Sequence, residues 1–133
     1  MLGKHARLVK RMANATEHFK LGVDAYKAGD CDKAIEELEA ATHQDPQNYK
    51  AFNYLGAAYT AKGRYNAAIG AFKAAEQIAP GIASTHYNIA QAYEADGLLS
   101  EAEYEYEKAI QADPGYTKAQ EALADLKKRL HHV

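Results

Sequence analysis

The sequence predicts an all-α fold, a solenoid of stacked helix pairs, on two observations. Sliding the chain against itself by 34 residues brings Pro46, Pro80 and Pro114 into register, and these are all its prolines. Gly29, Gly63 and Gly97 then coincide, as do Leu21, Leu55 and Ile89, the set Ala34, Ala68 and Ala102, and the set Ala41, Ala75 and Ala109. Within each period the apolar residues fall at the spacing of two amphipathic helices with a glycine between them. Such a unit cannot bury its apolar face alone and does so by stacking on its neighbours.

The middle period carries the pattern most fully, with Phe52, Leu55, Gly56, Tyr59, Ala68, Phe72, Ala75 and Pro80. It resembles the tetratricopeptide repeat (TPR), whose signature is an aromatic, Leu-Gly, Tyr, then Ala, an aromatic and a closing Pro. Phe52 replaces the signature Trp, His18 and His86 take that place in the flanking repeats, and Ala25 takes the Tyr place in the first. The resemblance implies a right-handed α-α superhelix of three helix-turn-helix repeats, residues 15–48, 49–82 and 83–116. It also implies a non-enzymatic scaffold or adaptor that binds a peptide or protein segment.

A basic helical segment is expected over residues 1–14. Residues 4–13 lack Pro and Gly and bring Leu8, Val9 and Met12 near one another on a helical wheel. Asn14 and Glu17 have the spacing of a capping box, so the first repeat helix can start afresh at Ala15. A continuous helix from Lys4 to Ala28 is the alternative, because no strong breaker lies between them.

The first helices of the repeats are expected over Ala15–Ala28, Tyr49–Lys62 and Ala83–Asp96, each ended by a glycine suited to the left-handed conformation. The second helices are expected to run from Asp32, Asn66 and Ser100, residues able to cap, to just before each proline. Gly22, Gly56 and Ala90, facing Ala34, Ala68 and Ala102, would permit close approach of the two helices. A capping helix is expected within 117–133, with the stripe Ala119, Leu123, Leu126 and Leu130 and a capping pair of Thr117 and Gln120. Glu17 and Asp24 stand where the later repeats place Ala51 and Ala58, or Thr85 and Ala92, and mark a face with no preceding repeat to meet.

At 133 residues the chain fits one domain, and 47% hydrophobic with 26% charged residues suits a soluble globular protein. No run of 18 apolar residues could span a membrane, and the N-terminus lacks the apolar core of a signal peptide. Cys31 is alone, which excludes an internal disulfide and points to a reducing, cytoplasmic setting. The net charge of -2 argues against nucleic acid as partner. Its distribution is uneven. The first 14 residues hold four cations and no acid; the repeats then net -5, +3 and -6, and residues 117–133 net +2.

By the resemblance, the first helices line a concave groove. Its candidate ligand-facing residues are Phe19, Lys20, Val23, Tyr26 and Lys27 from repeat 1, Lys50, Asn53, Tyr54 and Ala57 from repeat 2, and Tyr87, Asn88, Gln91 and Glu94 from repeat 3. This aromatic and amide-rich surface suits an extended peptide. Three lysines against one glutamate make it less acidic than its scaffold, which favours a ligand with acidic side chains or a free C-terminal carboxylate. The family's clamp for chaperone tails needs Lys, Asn, Asn, Lys and Arg at positions held here by Phe19, Val23, Tyr54, Ser84 and Asn88, so that mode is not expected.

No cofactor, metal or catalytic set is expected. The histidines are not spaced to converge, and neither a phosphate loop nor a nucleophile motif is present. Glu101, Glu103, Glu105 and Glu107 diverge around a helix and read as a solvated face, or as a dock for a basic partner. Phe19, Tyr26, Tyr54 and Tyr87 could instead support self-association into a homo-oligomer. For the basic segment two docking modes remain open: a cap on its own repeat 1, or a contact with the acidic repeat 3 of another copy.

Overall fold

A computed structural model describes residues 3–131, with side chains described for all of these except 8–13. The described chain forms α1 (Gly3–Lys27), α2 (Cys31–Gln44), α3 (Tyr49–Ala61), α4 (Tyr65–Ile78), α5 (Ala83–Ala95), α6 (Leu99–Ala112) and α7 (Thr117–His131). Each helix packs chiefly on its sequence neighbours, as in a solenoid. The first helices of successive repeats also touch, α1 on α3 and α3 on α5, so that side of the stack is the inner one.

The turn inside each repeat is built the same way three times. Gly29, Gly63 and Gly97 have φ of 84, 75 and 82°, a conformation that costs a side chain energy and glycine little. The next residue then bonds back across the turn, Asp30 N to Ala25 O, Arg64 N to Tyr59 O and Leu98 N to Tyr93 O, each at 2.9 Å. This satisfies carbonyls that the helix end leaves open.

The second helices start one residue earlier than the sequence suggests. Asp32, Asn66 and Ser100 lie inside α2, α4 and α6, and the capping positions are Asp30, Arg64 and Leu98. Only Asp30 of these three caps with its side chain, accepting from Lys33 N at 3.1 Å. The tight glycine turn fixes where the helix begins whether or not a capping side chain is available.

The close approach within each repeat also differs from expectation. Ala34, Ala68 and Ala102 are fully buried, but the residues that meet the glycines are Leu38 and Phe72. A Cβ on Gly22 would lie 2.5 Å from Leu38 Cγ, and one on Gly56 would lie 2.5 Å from the Phe72 ring. In repeat 3 the corresponding residues are Ala90 and Tyr106, both in the same buried cluster. Leu38, Phe72 and Tyr106 thus recur at one register position, each worth about 1.5 to 3 kcal/mol of burial.

Both ends of the array bring corrections. α1 is continuous from Gly3, so Asn14 and Glu17 do not open a new helix; nothing between Lys4 and Ala28 breaks the ladder. The apolar trio Leu8, Val9 and Met12 lies outside the described side chains. At the other end α7 covers repeat 3 with Ala119, Leu123 and Leu126 buried and Leu130 packed beside them. Thr117 and Gln120 do not form a capping pair: Thr117 Oγ1 donates to the Gly115 carbonyl at 3.4 Å, and Gln120 Nε2 donates to the Pro114 carbonyl. Their side chains fasten the preceding loop to the helix instead.

Candidate peptide groove

Two adjoining depressions lie on the inner side, and they share Tyr26, Ala57 and Asn88. One, of about 270 Å³, is lined by Tyr26, Asn53, Tyr54, Ala57 and Asn88. The other continues it through Thr60, Phe72 and Gln91. A third depression carries the track to the C-terminal end, lined by Thr60, Gln91, Glu94, Ala95 and Arg129. Residues from α1, α3, α5 and α7 therefore border one elongated surface.

Small residues make the track possible. Ala57 is the low point between tyrosines, and Gly56 beside it lets Phe72 come up from α4 to form part of the floor. The tyrosines are held by one another and by Phe19. The Tyr26 and Tyr54 rings meet edge to face at 5.8 Å, and Phe19 meets Tyr54 the same way at 6.2 Å. Such contacts fix ring positions before any ligand arrives.

The other candidate residues are placed differently. Val23 is partly buried, while Lys20, Lys27 and Lys50 are exposed and line none of the three depressions. Tyr87 turns to the C-terminal side, where its ring packs on Tyr106 and Tyr116 at 5.8 and 5.6 Å. Its hydroxyl accepts from Gln91 Nε2 at 2.7 Å, so Tyr87 orients a lining residue without lining the depressions itself. Burial, then the negative charges of Glu94 and Glu121, push its pKa up.

Arg129 was not legible as a groove residue. In sequence it is one of three cations in the last turns of α7, a position the helix dipole already explains. Folding brings it 35 positions back to Glu94, to which its guanidinium donates. Glu94 also accepts from the Tyr106 hydroxyl at 2.7 Å, so the one carboxylate counted against the groove's cations is engaged by two donors. The Tyr106 pKa is pushed well up, by burial first and then by the bond to Glu94.

The outer side bears a cleft of about 370 Å³, lined by Lys73, Tyr93, Ser100, Glu101, Tyr104 and Glu105. The exposed Tyr104 ring is partly occupied by the Lys108 ammonium, 4.9 Å from its centre. Glu105 corrects the expectation of a solvated acidic face on α6. It is buried and holds His86 Nδ1 at 2.9 Å, so one of the four alternating glutamates belongs to the helix interface.

A family model for the tetratricopeptide repeat matches residues 19–83, and a second matches residues 83–116. The chain belongs to the tetratricopeptide repeat family. Among curated TPR relatives it is 36% identical over 121 residues to mouse tetratricopeptide repeat protein 14, covering 82% of this chain and 15% of that protein. It is 28% identical over 104 residues to human Superkiller complex protein 3, covering 78% of this chain and 7% of that protein. The chain thus spans a small part of these relatives' length. Among solved structures, the first TPR of Spaghetti (RPAP3) bound to the HSP90 peptide SRMEEVD matches with a TM-score of 0.82 and 21% identity, covering 90% of this chain and 97% of that one. This likeness shows the TPR superhelix. No described helix is long and apolar enough to cross a membrane.

Proposed function

We propose that this TPR chain is a non-catalytic interaction module that holds an extended, acidic peptide segment along its inner groove. The observation that carries the reading is the continuity of the track from Tyr26 through Asn53, Tyr54, Ala57 and Asn88 to Arg129, across all three repeats and the capping helix. Its rings supply apolar contact, and its amides can bond a peptide backbone.

The preference for acidic ligands is supported by Lys20, Lys27 and Lys50, which remain in excess once Arg129 and Glu94 offset each other. The RPAP3 domain of the same fold carries a seven-residue HSP90 peptide with two Glu and one Asp, so a short acidic ligand is within what this architecture takes. The clamp positions hold Phe19, Val23, Tyr54, Ser84 and Asn88, so chaperone tails would not be held here by that clamp. The free Cys31 suits a reducing compartment such as the cytoplasm.

Panning a displayed random dodecapeptide library against the chain, followed by calorimetry on the enriched peptide, tests the proposal. Enrichment of Asp and Glu is expected, with at least about tenfold weaker binding for Tyr54→Ala and Asn88→Ala and unchanged circular dichroism. Binding indifferent to both but lost in Glu101→Lys would move the working surface to the outer cleft.

A further inference from the structure

We propose that two copies of this chain associate through their α1 helices, packed antiparallel, with the basic N-terminal half of each on the Glu17, Leu21 and Asp24 face of the other. The position that leads there is one register site seen three times. Leu55 and Ile89 are 5% and 1% exposed, covered by the helix that precedes them in the stack, α2 and α4 respectively. Leu21 occupies the same site in α1 and is 38% exposed, since among the described residues no helix precedes α1 in the stack.

The flanking positions agree. Ala51 and Ala58, and Thr85 and Ala92, are all buried beneath the preceding helix. Their counterparts Glu17 and Asp24 are exposed acids. An occupant of this face would therefore be a helix, antiparallel to α1 as α2 is to α3, that brings cations opposite the acids.

The N-terminal half of α1 has that chemistry. Residues 3–14 contain Lys4, Arg7, Lys10 and Arg11 and no acid. The segment cannot serve its own chain, because it is continuous with the helix whose side needs covering. α1 has 25 residues against 14 in α2, so it projects about 16 Å past its partner.

The pattern along α1 is self-complementary. At about 100° per residue, Arg7, Lys10, Asn14, Glu17, Leu21 and Asp24 fall within one stripe roughly 100° wide, and of these Arg7, Asn14, Glu17, Leu21 and Asp24 are exposed. A two-fold axis between Ala15 and Thr16 sets Arg7 opposite Asp24, Asn14 opposite Glu17 and position 10, a lysine, opposite Leu21 of the second copy. Each contact then occurs twice, as an isologous interface requires. A parallel pairing would set cation on cation. Phe19 and Tyr26 point to the opposite side of α1, so the groove stays open and the dimer does not depend on it.

Sedimentation velocity on the full chain, from about 1 to about 500 μM, tests the proposal. The mass should rise from one copy towards two. Arg7→Glu and Asp24→Arg should each move the midpoint up by about tenfold or more, and the combined variant should return it towards wild type. Leu21→Asp should also weaken association, independently of the charge pair. A mass of one copy throughout, a dimer indifferent to Leu21→Asp, or a combined variant no better than either single change would overturn the proposal. Arg7 and Asp24 are exposed, so thermal melting of their variants should match that of the wild type at the lowest concentration.

Discussion

His86 Nδ1 lies 2.9 Å from Glu105 Oε2, with both side chains buried between α5 and α6 and Glu76 3.8 Å from the other ring nitrogen. The pair recurs in repeat 1 as His18 and Glu37 at 2.6 Å, and repeat 2 replaces both members by Phe52 and Ala71. The signature Trp position is thus filled either by an aromatic against a small residue or by a histidine against a glutamate. Changing one member leaves a buried polar group without its partner, while changing both converts one solution into the other. His86→Phe and Glu105→Ala should each cost about 1 to 3 kcal/mol in urea unfolding, and the double variant clearly less than their sum. Additive costs would mean the pair is not a unit.

Two glycines in helices should respond to alanine with opposite sign. Gly56 has the Phe72 ring 2.5 Å from where a Cβ would lie, whereas Gly70 in α4 has open space. Alanine is the better helix former at both sites by up to about 1 kcal/mol, but overpacking a tight contact costs about 1 to 3 kcal/mol. Gly56→Ala should lower stability and Gly70→Ala should raise it by about 0.5 to 1 kcal/mol in thermal or urea melts. Equal effects would contradict the close approach at Gly56.

Two tyrosines should make stability fall in alkali. Burial first, then a hydrogen bond to Glu39, raise the Tyr59 pKa to about 12, and burial with the Glu94 bond raises that of Tyr106 further. The fold therefore holds protons that the unfolded chain releases from pH 10 upward. Their contribution is complete below that pH and is lost as the pH climbs through the folded values. Melting temperature should drop between pH 10 and 12, and Tyr59→Phe with Tyr106→Phe should flatten the drop relative to the wild type. An unchanged slope in that variant would assign the alkaline loss to other groups.

Arg129 gives the groove proposal a test separate from its rings. It is exposed enough that Arg129→Ala should cost at most about 1 kcal/mol of stability. The same change should weaken the enriched acidic peptide several-fold, while Lys128→Ala, its neighbour on α7, should not. Added salt should reduce the difference between wild type and Arg129→Ala, since exposed charges are screened over about 8 to 10 Å. Equal effects of the two substitutions would mean a diffuse field and no directed contact.

The array can be read from residue order alone. Prolines, glycines and alanines recurring at 34 residues set the repeat boundaries, and the left-handed glycines after α1, α3 and α5 stop each helix where that register says. These features are local, since a φ preference or a missing N–H acts on its own turn whatever surrounds it. The candidate groove was partly legible for a related reason: in a regular solenoid, position within the repeat fixes which side a residue faces, and Tyr26, Asn53, Tyr54, Ala57 and Asn88 line one depression there. Packing between helices settles that Tyr87 turns into the wall, that Arg129 reaches Glu94, that Glu105 is drawn inward by His86, and that Phe72, not Ala68, fills the space at Gly56. Each depends on a partner outside its own helix, 16 or more residues away, and helical periodicity gives a direction without giving what stands there. The unbroken α1 belongs with these. Asn14 and Glu17 would cap a helix that began at Ala15, but a capping side chain can start a helix only where the chain before it leaves helical geometry, and here it does not.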